Sequence, residues 1–408
     1  MTRMPAAVLR SAAGGVALAL AAAHASGAGA SPPEPARPQN AHARAIARSR
    51  ELLDQALQLY PGTAVAVAVG DRIVWSTAFG YADVDRLKPV TPATQFRIYE
   101  AAMPLTATVL ARLAQDGRVD LDAPIHRYLP DLPDAPGTVT LRDLASHLAG
   151  VRELGEEEEI PAPCSGARDA ARTITGRVFV RPPGLGLNVS RYGYLLLSAA
   201  LESASGRRFA DLLAETVGGP AGMTSTMMDD PRRFLPGRTQ FYERGFLGLL
   251  KAARTVDTTC LSGAGGLLST TEDLVRFGAA LLRGELVRGD LLDAMFTPRR
   301  TRGGQSTGYG MGWNVELDAR GRPYAWHGGR GVGGRAAIVV VPHVRLVTVM
   351  LSNIEGERLD EHARRIAAYF LESAEASGGA PDLLRAAVPA DRNPSPPFAP
   401  RALPAPGE

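Results

Sequence analysis

Several residue patterns in this 408-residue chain could carry chemistry. Gly304-Gln305-Ser306-Thr307-Gly308 has the Gly-x-Ser-x-Gly spacing of a serine nucleophile on a sharp strand-to-helix turn. Acyl attack from such a turn needs a strand before the serine and a helix after it. Here Arg299 to Gly303 reads as loop and Tyr309-Gly310-Met311-Gly312-Trp313 as a glycine-punctuated strand, so the match is coincidental. Gly329, Gly331 and Gly334 have the Gly-x-Gly-x-x-Gly spacing of a phosphate cradle, yet a strand follows them, and the expectation is a tight turn. There is no His-Glu-x-x-His run and no clustered Cys/His ligand spacing, so neither a metal nor a cofactor is expected. Of the 45 Lys plus Arg, only Lys88 and Lys251 are lysines, which leaves little for amine chemistry. Cys164 and Cys260 could pair in an oxidising compartment or remain two buried thiols, and spacing leaves both open.

The elements that must position a site follow from periodicity. Ile46, Leu53, Leu57 and Tyr60 predict a helix stopped by Pro61-Gly62. Val65, Val67 and Val69 alternate, Gly70-Asp71 suits a two-residue turn, and Ile73 to Phe79 returns as the second strand of a hairpin. Near the other end, Ala336 to Val341 and Leu346 to Leu351 predict strands, followed by a helix with Leu359, Ala363, Ile366 and Phe370 on one face. Between them the pattern is helical: Leu105, Val109 and Leu113; Tyr194, Leu197 and Leu201; Leu274, Phe277 and Leu281, the last set opening with Ser269 and Glu272 at capping-box spacing. The expected fold is α/β (α+β): an antiparallel sheet built from both chain ends (about 40–90 and 305–375), covering helices, and an inserted, mainly helical part (about 91–304). A cleft between the two parts is the default site.

Composition fits a globular protein, with 45% hydrophobic and 21% charged residues. Arg3 and Arg10 before the apolar run Ala12 to Ala23, then Ala23-His24-Ala25, predict a signal peptide over 1–25 and export to the periplasm or beyond. That run is shorter than the ~20 residues of a spanning helix, so no transmembrane anchor is expected. Residues 26–39 and 376–408, rich in Pro, Gly and Ala, read as disordered flanks. Cleavage would reduce the formal net charge from +3 to +1, leaving no basic footprint for nucleic acid.

One ordered set of motifs is more specific. Phe96-Arg97-Ile98, Pro104-Leu105-Thr106-Ala107, Leu113 to Gly117, Asp120-Leu121-Asp122-Ala123-Pro124 and Tyr128-Leu129-Pro130 come first. Thr140-Leu141-Arg142-Asp143-Leu144 with His147 and Gly150, Gly193-Tyr194, Gly265 to Thr270, Tyr309 to Trp313, and His327-Gly328-Gly329 continue the series. Together they resemble the serine β-lactamase-related proteins, which include class C β-lactamases, DD-peptidases and esterases, over about residues 50–372. The resemblance implies a β-lactamase/transpeptidase-like fold and acyl transfer through a serine ester. In that chemistry a lysine three residues after the serine takes its proton. A Tyr-x-Asn or Ser-x-Asn element and a Lys-Thr-Gly or His-x-Gly strand complete the site.

Registered on that pattern, this chain has Glu100 at the serine position, Met103 at the lysine position, and Val189, Ser190 and Arg191 for the second element. Only His327-Gly328-Gly329 stands as the family has it. No register shift restores Ser-x-x-Lys, because Asp85 and Gly248 precede the two lysines by three residues. A thioether is no base, and general acid–base steps are worth ~10² to 10⁴ each in rate, so the standard activity is expected to be lost. The resulting expectation is an exported, catalytically inactive relative that binds or regulates, with a peptidoglycan-like, peptide or small-molecule ligand near Glu100, Ser190, His327 and Gly329. The alternative is an active hydrolase using Glu100 and His327 as an acid–base pair with Ser190 as the nearest hydroxyl; a cleft filled by its own side chains is the third reading. Met103 doubles as core filler and Glu100 as a solvated helix-start acid. His147 is expected to be structural, on a helix ending at Gly150. The run Glu156-Glu157-Glu158-Glu159, with Glu153 nearby, reads as a solvated loop or a docking site for a basic partner.

Overall fold

The computed structural model describes residues 42–56, 60–132, 136–154, 164–173, 178–356 and 358–376. The expected signal peptide, the 26–39 linker, the tail beyond 376 and the Glu156–Glu159 run lie outside the described residues.

A seven-stranded sheet forms the centre, and it takes its strands from the two ends of the sequence. Gly62–Val69 lies between Arg72–Asp83 and Leu346–Ser352, with Gly334–Val341, Pro323–Gly331 and Asn314–Leu317 beyond the latter and Lys88–Pro89 at the opposite edge. Every pairing is antiparallel. The Gly70-Asp71 turn closes the first hairpin, with Val69 opposite Arg72 and Gly70 at φ +62°. Alternation along Gly62–Val69 divides the core. Ala64, Ala66 and Ala68 face the inserted helices, whereas Val65 and Val67 pack with residues of the terminal helices Ala43–Ala56 and Leu359–Ala376. Small residues on the first face let a helix come close: a Cβ on Gly278, in helix Thr271–Leu282, would lie 2.7 Å from Val347. Burying each valine on the second face contributes roughly 1.5 to 3 kcal/mol.

The insert carries helices Met103–Gln115, Arg191–Ser205 and Thr271–Leu282. The last is capped one residue later than the sequence suggested. Thr270 accepts from Asp273 N, because Ser269 is still paired in the strand Leu267–Ser269 opposite Phe96. That strand and Phe96–Arg97 belong to a second, three-stranded sheet. Behind it Arg97 and Arg238 both pair with the fully buried Asp229, at 2.6 and 3.0 Å. Cys164 and Cys260 form a disulfide, with Cα atoms 5.2 Å apart, rather than two free thiols. No helix among the described residues is long and apolar enough to cross a membrane.

Candidate functional site

The short strand Phe96–Arg97 runs into a 3₁₀ turn, Tyr99–Ala102, that feeds helix Met103–Gln115. Tyr99 adopts φ +45°, a conformation costly for a residue with a Cβ, and its hydroxyl donates to Val332 O at 2.7 Å. This turn presents Glu100 to the strand Pro323–Gly331. Contact is close because Gly329 has no side chain: a Cβ there would lie 2.0 Å from Ile98 O, 2.7 Å from Ala101 N and 2.9 Å from Glu100 N. All three are backbone atoms, so Gly329→Ala is expected to lower the unfolding free energy by about 3 kcal/mol in urea titrations. Gly328→Ala, whose Cβ would meet only ordinary contacts at 3.7 Å, is the control and should cost less than about 1 kcal/mol.

Glu100 is not the solvated helix-start acid. Its side chain is 19% exposed, and Oε2 accepts from Arg330 N at 2.9 Å. Burial pushes the carboxyl pKa up, opposed by the main-chain N–H groups of Arg330 and of Glu100 itself and by Arg191. Arg191 Nε lies 3.6 Å from Glu100 Oε1, and Arg191 is also held by Glu153, which accepts from Arg191 N at 2.6 Å. One guanidinium thus bridges two carboxylates from different parts of the chain. Met103 is 0% exposed, within the core cluster of the insert. Val189 is 51% exposed and has no polar atom to offer beyond its backbone.

Ser190 is spent structurally. As the N-cap of helix Arg191–Ser205 its Oγ accepts from Gly193 N at 2.9 Å and donates to Arg152 O at 2.6 Å. This disfavours Ser190 as a nucleophile. His327 lies on the same face of its strand as Gly329, two residues away, but both ring nitrogens are engaged elsewhere. Nδ1 sits 2.7 Å from Gly328 O, which can only accept, so the proton is on Nδ1 and Nε2 accepts from Tyr309 Oη at 3.0 Å. Desolvation lowers the His327 pKa to about 4. No hydrogen bond joins Glu100 to His327 among the described residues.

His147 is buried but not on a helix: helix Leu141–Ala145 ends before it, and His147 takes φ +55° in the following turn. Its ring lies between Tyr194 and Tyr309, with centroids at 5.0 and 4.8 Å, and Nδ1 accepts from Ser190 N at 3.3 Å. Nε2 has no hydrogen-bond partner among the described residues. Desolvation, with a smaller contribution from His327, lowers its pKa to about 3. Sequence reasoning missed Glu153, the Arg330 N–H and Tyr309 as site components. Tyr309 was visible within its glycine-punctuated run, but nothing local shows that it reaches His327.

An antiparallel sheet from both chain ends, a helical insert, and a turn–helix opening packed against the strand Pro323–Gly331 give the architecture of a β-lactamase-like fold. The Beta-lactamase family profile matches residues 50–371, and the chain belongs to this family. It is 27% identical to human "Serine beta-lactamase-like protein LACTB, mitochondrial", covering 80% of each chain. To "Penicillin-binding protein 4*" of Bacillus subtilis (strain 168) it is 26% identical, covering 74% of this chain and 70% of that one. The D-amino acid amidase of Ochrobactrum anthropi SV3, solved with L-phenylalanine amide, shares the fold with TM-score 0.70 and 22% identity, over 82% of this chain and 99% of that one.

Proposed function

We propose that this family member does not acylate and that its cleft serves binding or regulation, with Glu100 standing where relatives carry the serine and Met103 where they carry the lysine. One observation carries the reading: the Glu100 carboxylate, not a hydroxyl, sits at the opening of the helix and engages the Arg330 N–H, with its own N–H also favouring the charged form. Converging backbone donors of this kind stabilise a developing oxyanion when a substrate carbonyl can reach them. Here they are loaded in advance by the chain itself. Met103 offers no proton acceptor, and His327 has both nitrogens committed. The alternative hydrolase built on Glu100 and His327 thereby loses its support. The names of the relatives, a penicillin-binding protein and a D-aminopeptidase among them, favour a peptide or peptidoglycan-like ligand. Export fits the Cys164–Cys260 bridge, which belongs to an oxidising compartment.

Incubation with a fluorescent penicillin should leave the protein unlabelled, and a p-nitrophenyl ester should turn over no faster with wild type than with Glu100→Gln. A stoichiometric acyl adduct on the intact chain by mass spectrometry, or ester turnover abolished by Glu100→Gln, overturns the proposal.

A further inference from the structure

A cavity lies apart from the Glu100 site. It is an open cleft of about 650 Å³ lined by Pro136, Thr138, Phe179, Arg181, Pro182, Pro183 and Arg302. That volume is within the range of small-molecule sites. Arg302 is anchored through its main chain and Arg181 through its guanidinium. Arg302 N donates to Gly184 O at 2.8 Å, and the Arg181 guanidinium donates to Asn188 Oδ1 at 3.2 Å. Both side chains run against glycines that make room for them: a Cβ on Gly184 (φ +80°) would lie 2.9 Å from Arg302 Cγ, and one on Gly186 would lie 3.1 Å from Arg181 Nη1. Neither guanidinium forms an ion pair with a carboxylate among the described residues. Two like charges therefore share one cavity without a counter-ion among the described residues, although arginines elsewhere pair repeatedly with Asp or Glu. The remaining walls are Thr138, three proline rings and a phenylalanine, mostly flat apolar surface, and the prolines lose no side-chain entropy when covered.

We infer that this cleft binds a small carboxylate with a planar apolar body, the carboxylate on Arg181 and Arg302 and the body against the prolines and Phe179. A guanidinium suits a carboxylate because its planar fork matches both oxygens. Neither arginine belongs to the Glu100 site, so the inference does not depend on whether that site acylates.

The probe is 2-naphthoate, titrated into the full chain at physiological salt and followed by its fluorescence anisotropy. Saturable binding is expected, with 2-naphthol at least about tenfold weaker and with Arg181→Gln and Arg302→Gln each weakening naphthoate about tenfold, as loss of one charge-assisted contact predicts. Both arginines are exposed, and unchanged melting temperatures of the apo variants would show that folding is intact. The inference is overturned if naphthol binds as tightly as naphthoate, if the double variant binds like wild type, or if no saturable binding occurs.

Discussion

Acidification from pH 6.5 to 4.5 should remove about 4 kcal/mol of unfolding free energy through the two histidines buried near Glu100. His327 and His147 have folded-state pKa values of about 4 and about 3, below the ordinary 6.5. The unfolded chain takes up protons at both positions as the pH falls through 6.5, while the folded chain resists until the lower values are reached. Stability is therefore complete above pH 6.5. Each histidine then removes about 1.4 kcal/mol per pH unit. Protonation of His327 at Nε2 would also set a second donor against the Tyr309 hydroxyl. Glu100 acts in the opposite sense, because its raised carboxyl pKa lets the folded state take a proton first. Urea titrations across this range measure the slope, and His147→Gln should make it shallower than in wild type. A stability independent of pH between 6.5 and 4.5 would sink the prediction.

The disulfide gives the other large effect. Cys164 and Cys260 are separated by 96 residues, and a cross-link closing a loop of that length restricts the unfolded chain by about 4 to 5 kcal/mol. Dithiothreitol should lower the stability of the wild-type protein by that amount. It should leave the Cys164→Ala/Cys260→Ala double variant unaffected, that variant being already as unstable as the reduced protein. Equal denaturation midpoints with and without reductant in the wild type would show that the bridge contributes nothing.

Much of the architecture could be read from the sequence because its determinants are local. Alternating valines before Gly70-Asp71, the β-branched runs near the C-terminal end, and the Leu359–Phe370 face each declare an element within a dozen or so residues. The cap was read one residue early, at Ser269/Glu272. Only strand pairing with Phe96 assigns Ser269 to the sheet and the cap to Thr270. At the site, residue types were legible but their surroundings were not. Glu100 looked like a solvated helix-start acid because the N–H it engages lies 230 residues away in sequence. Ser190 looked available because the Arg152 carbonyl it binds is 38 residues earlier, and His147 looked helical because nothing local announces its positive φ. Whether Cys164 met Cys260 was a question of distance across the insert, which spacing does not encode.

The strand Gly62–Val69 is sandwiched between a neighbour made moments later, Arg72–Asp83, and one near the far end of the described chain, Leu346–Ser352. As the chain emerges, the first hairpin therefore has one flank unsatisfied and waits until Leu346–Ser352 has followed. A row of open backbone hydrogen-bonding groups during that interval is a template for wrong partners. Premature termination before Leu346 would leave this flank permanently bare, so truncated products should be recognised by chaperones and cleared by proteases rather than accumulate.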